Sequence, residues 1–142
     1  MKSIVWTHPM WLRVAAVVGV LFGFMTIREG GAVLFVDGAA RLAAGDYVPF
    51  VLWFNFLAGF AYVVAGLGLW FRRQSAARVA LGIAMMTLIV FAAFGWHAAN
   101  GGAFETRTVV AMTLRSAIWL VIATIGWRAL MKNTTQPPIE VA

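Results

Sequence analysis

The sequence predicts an all-α membrane protein: four antiparallel transmembrane helices packed as one bundle. Three observations carry that expectation. Of 142 residues, 63% are hydrophobic and only 11% charged, with a mean hydropathy of +0.88. Soluble domains carry about a quarter charged residues, so this chain lacks the polar groups to build a water-facing surface. Three of the apolar stretches also run to roughly 19 to 23 residues, the length that crosses a bilayer core of about 30 Å at 1.5 Å per residue, and a fourth is shorter. Lys and Arg, finally, divide unevenly between the connections, as they do in multi-pass proteins. The length is that of a single domain.

The first span is expected over about 10–30. Its purely apolar part, Val14 to Ile27, is short. The span therefore either begins early, with Arg13 snorkelling to the interface, or runs past Arg28 and Glu29 towards Val36. The early start is preferred, which leaves Ala32 to Ala44 as a short interfacial helix or re-entrant loop. Asp37 and Arg41 stand there at a favourable i, i+4 spacing. The second span, about 50–71, follows Pro49 at a first helical position and holds no charge. The connection Arg72-Arg73-Gln74-Ser75 is short enough to force a tight hairpin with the third span, about 77–99, which ends at His97 and an Asn100-Gly101-Gly102 stop. The fourth, about 107–128, encloses Arg115. Residues 133–142, with Pro137-Pro138, are expected to form a flexible cytoplasmic tail.

Seven of the eleven basic residues (Lys2, Arg13, Arg72, Arg73, Arg78, Arg128 and Lys132) fall on one side of this topology, and four of the five acids fall on the other. The positive-inside rule places that basic side, with both termini, in the cytoplasm, and makes the chain a multi-pass protein of the cell (inner) membrane. The net charge of +6 is thus a topology signal and a contact with anionic lipid; no nucleic-acid partner is expected. Cysteine is absent, which excludes disulfides, thiolate metal sites and iron–sulfur clusters. The two histidines, His8 and His97, fall on opposite sides, so no haem is expected, and no His–carboxylate cluster has metal-ligand spacing.

Ionisable residues within a span are expensive and mark candidate sites. Arg115 is the foremost. Glu105, Thr108, Met112, Arg115 and Trp119 share one helical face that should look into the bundle. Glu29 is its natural partner, on a first-span face shared with Gly19, Phe22 and Thr26; Gly19 and Gly23 form a GxxxG step that admits a neighbouring backbone. An Arg115–Glu29 pair explains how both are tolerated; the alternative leaves Glu29 at the water interface, paired with adjacent Arg28. His97 offers a titratable group at the rim. In the second span Asn55, Gly59, Tyr62 and Gly66 line one face, with Asn55 able to hydrogen-bond across helices.

The chain resembles the DoxX-like family of small four-helix membrane proteins over roughly Leu12 to Leu130. The resemblance rests on Gly59 through Gly66-Leu67-Gly68-Leu69, the Arg72-Arg73 turn, Ala80-Leu81, and His97-Ala98-Ala99-Asn100-Gly101, which is similar to that family's His-x-x-Asn-Gly ending of its third span. Where the family often has a His-Gly-…-Lys pattern, this chain reads Ile27-Arg28-Glu29-Gly30, so no chemistry carries over at that place. The resemblance implies a membrane redox context with a quinone. The functional expectation is an outer-facing polar pocket that binds a quinone or similar small molecule, with Arg115, His97, Glu29, Asn55, Tyr62 and Asn100 as its ligand-binding residues. No catalytic residue is assigned. The alternative is a structural or assembly subunit of a larger membrane complex without activity of its own. Expected partners are the lipid bilayer, other membrane or redox subunits, and further copies of the chain.

Overall fold

The computed structural model describes residues 8–131. Lys2, Lys132, Glu140 and the expected 133–142 tail lie outside them. Among the described residues five helices follow one another: α1 (His8–Phe35), α2 (Ala39–Ala44), α3 (Pro49–Trp70), α4 (Gln74–Ala99) and α5 (Thr106–Leu130). All but α2 are long and apolar enough to cross a membrane. The four long helices form a ring in the order α1–α3–α4–α5, with α2 packed on α1. Neighbours are antiparallel: Gly19 of α1 faces Gly66 of α3, while Gly30 faces Phe56.

Helix α1 ends later than expected. It runs past Arg28 and Glu29, both exposed, to Phe35. At about 1.5 Å per residue its 28 residues exceed a bilayer core by roughly 12 Å, so its last turns need not be apolar. The extension stops where Arg41 intervenes. Arg41 donates from Nε to the Val33 carbonyl (3.0 Å) and from Nη2 to the Leu34 carbonyl (2.8 Å), satisfying two of the last, otherwise orphaned acceptors of α1. Arg41 also pairs with Asp37, the expected ion pair, although Asp37 precedes α2 rather than lying on it. The short helix expected within 32–44 is thereby confined to Ala39–Ala44.

The α3–α4 and α4–α5 turns use the same device. Arg73 N–H reaches the Gly68 carbonyl and Arg72 N–H the Leu69 carbonyl; Gly102 N–H reaches His97 and Gly101 N–H reaches Ala98. Both are Schellman endings. The left-handed position is Gly101 (φ 81°) in one and Arg72 (φ 55°) in the other. Arg13, Arg72, Arg73, Arg78 and Arg128 are all exposed at the end of the bundle that holds this α3–α4 turn, here called the basic end.

Helices α1 and α3 meet backbone to backbone. A Cβ on Gly23 would lie 2.8 Å from the Gly59 carbonyl oxygen, and one on Gly66 would lie 2.8 Å from the Ala16 carbonyl oxygen. Small residues drive such approaches in lipid, where no hydrophobic force brings helices together. The main core, including Leu12, Ala16, Tyr62, Leu69, Ala80, Trp119 and Ile122, draws on all four long helices. A second, smaller core of Val48, Val51, Phe94 and Met112 joins α3, α4 and α5 at the other end. Helix α1 contributes nothing to it. The corner between α1 and α5 at that end is therefore left unfilled.

Candidate functional site

The unfilled corner is a cavity of about 450 Å³. Thr26 to Val33 of α1 form one wall, Thr108, Ala111 and Arg115 of α5 another, Leu52 and Asn55 of α3 the back, and Ala40, Ala43 and Ala44 of α2 the cover. Helix α4 does not line it. Its walls are mostly apolar, and its charges stand mainly at the rim, where Arg28, Glu29 and Arg107 are exposed. The volume falls within the range of small-molecule pockets, about 300–1,000 Å³.

Arg115 forms the polar focus. It sits nine residues after the start of α5, about 13 Å of helical rise, and is only 7% exposed. Its Nη1 donates to the thioether sulfur of Met112 at 3.7 Å, a weak acceptor. Its Cζ lies 5.6 Å from the centre of the Phe22 ring, a cation–π contact. Nε is buried and has no partner. Glu29 lines the same cavity and lies within electrostatic reach, as does Tyr62. Yet the expected Arg115–Glu29 ion pair does not form: among the described residues the side-chain ion pair is Arg41–Asp37. Glu29 points from an exposed position, where water solvates it better than a buried guanidinium would. A buried charge left uncompensated typically costs about 3–5 kcal/mol; Arg115 has no ion-pair partner among the described residues, and its Nε has no hydrogen-bond partner at all.

Other unsatisfied groups cluster nearby. The side-chain oxygen Oδ1 of Asn55, at the cavity's back, is buried without a partner. Beneath lie Tyr62, Thr87 and Trp119, each 0% exposed, whose polar atoms also lack partners. The Tyr62 and Trp119 rings pack 4.6 Å apart, and Tyr62 stacks on Phe22 at 5.9 Å. The Tyr62 and Thr87 hydroxyls approach one another without reaching hydrogen-bond geometry. Native interiors leave few such groups unpaired, and here five fall in one region of the bundle.

The cover is tied down from both sides. Arg41 fastens α2 to the end of α1. From α5, Arg107 Nη1 donates to the Ala43 carbonyl at 3.1 Å, and the Glu105 carboxylate accepts the Asp46 N–H at 3.1 Å. Gly45 (φ 59°) makes the turn between these two contacts, and a Cβ there would strike the Glu105 carboxylate.

Of the six residues singled out in the sequence, Arg115, Glu29 and Asn55 line the cavity, and Tyr62 lies beneath it. His97 and Asn100 do not line it. His97 Nε2 is 3.2 Å from the Ala103 carbonyl, and its ring meets Phe50 edge-on at 6.2 Å, so it braces the α4–α5 turn. Asn100 donates to the Trp96 carbonyl at 2.7 Å. The spatial reason is that α4 stands across the ring from the cavity. Sequence reasoning missed Thr87, although it is the sole hydroxyl of α4 beyond the first turn. It also missed the small-residue cover Ala40, Ala43 and Ala44, whose role no local pattern announces. Compared with family models, curated proteins and solved structures, the chain matches none.

Proposed function

We propose that the protein is a multi-pass protein of the cell (inner) membrane, with cytoplasmic termini, whose outer-facing cavity binds a quinone or similar small molecule in a membrane redox context. The observation that carries this reading is the buried, partner-poor guanidinium of Arg115 at the end of a cavity whose walls are mostly apolar and whose other charges stand mainly at the rim. A quinone ring suits apolar walls, and its oxygens accept hydrogen bonds. Arg115 donates without changing protonation. Glu29, at the rim, is the residue through which a proton would exchange with water. His97 serves in this reading as a brace for the α4–α5 turn. The DoxX-like resemblance stays with this reading as its redox context.

The test is binding of a short-chain quinone to the purified protein. Arg115→Leu should weaken binding about ten-fold, which corresponds to about 1.4 kcal/mol. Leu88→Ala, on the exposed face of α4, should leave it unchanged. No binding by the parent protein, or equal binding by Arg115→Leu, favours the assembly-subunit reading instead. Orientation is tested separately: a cysteine at Ser75 should label from the cytoplasm and one at Ala103 from outside.

A further inference from the structure

The donor chemistry around Arg115 narrows the ligand class, an inference that rests on the small-molecule reading of the same cavity. Arg115 carries a fixed positive charge inside a span, and its contacts are a thioether and an aromatic ring. Neither supplies a negative charge. The two acids of the cavity wall keep their charge but do not pair with it: Glu29 is exposed at the rim, within electrostatic reach but not in contact, and Glu105 accepts the Asp46 N–H instead. Arg28, Arg107 and Arg115 outnumber them among the lining residues. Close behind, Trp119 Nε1 is a second buried group that can only donate, and it too lacks a partner. A neutral carbonyl accepts a hydrogen bond but leaves the cation uncompensated. A carboxylate does both, and matches the planar fork of a guanidinium with two parallel bonds.

We propose that the ligand's head is a compact anionic oxygen group, a carboxylate or its equivalent, held by Arg115, with an apolar body against Val33, Ala43, Leu52 and Ala111. The cavity thus selects amphiphilic acids over uncharged amphiphiles of the same size.

The experiment measures equilibrium binding of decanoate, decanol and a decyl-substituted benzoquinone to the full chain in neutral detergent. Decanoate should bind at least ten-fold tighter than decanol, and Arg115→Leu should erase that preference. Arg115→Lys, which keeps the charge and loses the fork, should retain a reduced preference; it serves as the second variant if Arg115→Leu does not fold. Equal binding of decanoate and decanol overturns the proposal, as does a preference that survives in Arg115→Leu or is absent from a folded Arg115→Lys. If the benzoquinone binds through Arg115 while decanoate gains nothing over decanol, the acid proposal falls and the quinone reading stands. If decanoate is preferred and the benzoquinone does not bind, the quinone reading falls and the acid proposal stands.

Discussion

Helix α1 has two flanks, and they are built in opposite ways. Towards α3 it presents Gly19, Gly23 and Gly30, and the partner answers with Gly59 and Gly66, so the backbones close on one another at these positions. Towards α5 it meets Trp119 and Arg115 through Gly19 and Phe22, and beyond Thr26 the two helices part to leave the cavity. The first seam is apolar and tight at its glycines, and the groove it leaves beside Gly66 is lined by apolar side chains. The second holds unpaired polar groups and space. The difference teaches where each kind of residue is tolerated in a bilayer. Small residues draw helices into contact, whereas a buried charge with no anionic protein partner survives where a cavity supplies room for water or a ligand.

The contrast predicts that added volume has opposite consequences on the two flanks. Gly23→Leu should be the most damaging change, costing about 3 kcal/mol or more, because even its Cβ would overlap the Gly59 carbonyl and the Val63 backbone and side chain. Thermal unfolding in detergent reads this directly, and a small effect would mean the α1–α3 approach is looser than described. Ala43→Phe adds volume on the other flank, from the exposed cover α2 into the cavity. It should leave stability within about 0.5 kcal/mol and weaken quinone binding about ten-fold or more, about 1.4 kcal/mol. A loss of fold instead of binding would show that the cavity is not free space.

Two further changes sharpen the loose flank. Arg107→Ala removes the bond to the Ala43 carbonyl, one of the ties that hold α2 over the cavity. The loss is about 1 kcal/mol at most for an exposed hydrogen bond, and it should appear as faster hydrogen exchange confined to residues around Ala39–Ala44. Exchange that rises throughout the bundle would contradict a local latch. The smallest effect concerns Glu29 and Arg115. Without an ion pair, and with Glu29 exposed, a double-mutant cycle with Glu29→Ala and Arg115→Ala should give a coupling of about 1 kcal/mol or less. A coupling of several kcal/mol would mean the two side chains close on one another.

Much of this architecture was legible before any coordinate. Three long apolar stretches and a shorter first one, a chain with too few charges for a water-facing surface, and the Asn100-Gly101-Gly102 stop each act through local or bulk physics: span length, solvation and backbone handedness. The inward face of α5 was equally readable, because Met112, Arg115 and Trp119 recur at helical spacing, and all three are buried. Two expectations failed for a shared reason. The end of α1 near Gly30 and the pairing of Arg115 with Glu29 both assumed that charge must stop or be neutralised where the apolar run ends. Neither is required once a cavity and a capping Arg41 are available.

The sequence by itself determined how many long apolar helices there are, where α3 turns into α4 and α4 into α5, and which residues would be costly to bury, since those depend on one segment and its solvent. Only the tertiary structure decided the order of the ring, and with it the separation of His97 and Asn100 from the cavity. It also decided that α2 would cover the corner between α1 and α5, tied to both by Arg41 and Arg107. The physical reason is that a cavity is a property of how helices fail to fill space together. It arises here because the second core of Val48, Val51, Phe94 and Met112 joins α3, α4 and α5 and leaves α1 out. No periodicity within one helix carries that information, because it resides in the match between side-chain volumes on elements far apart in the chain.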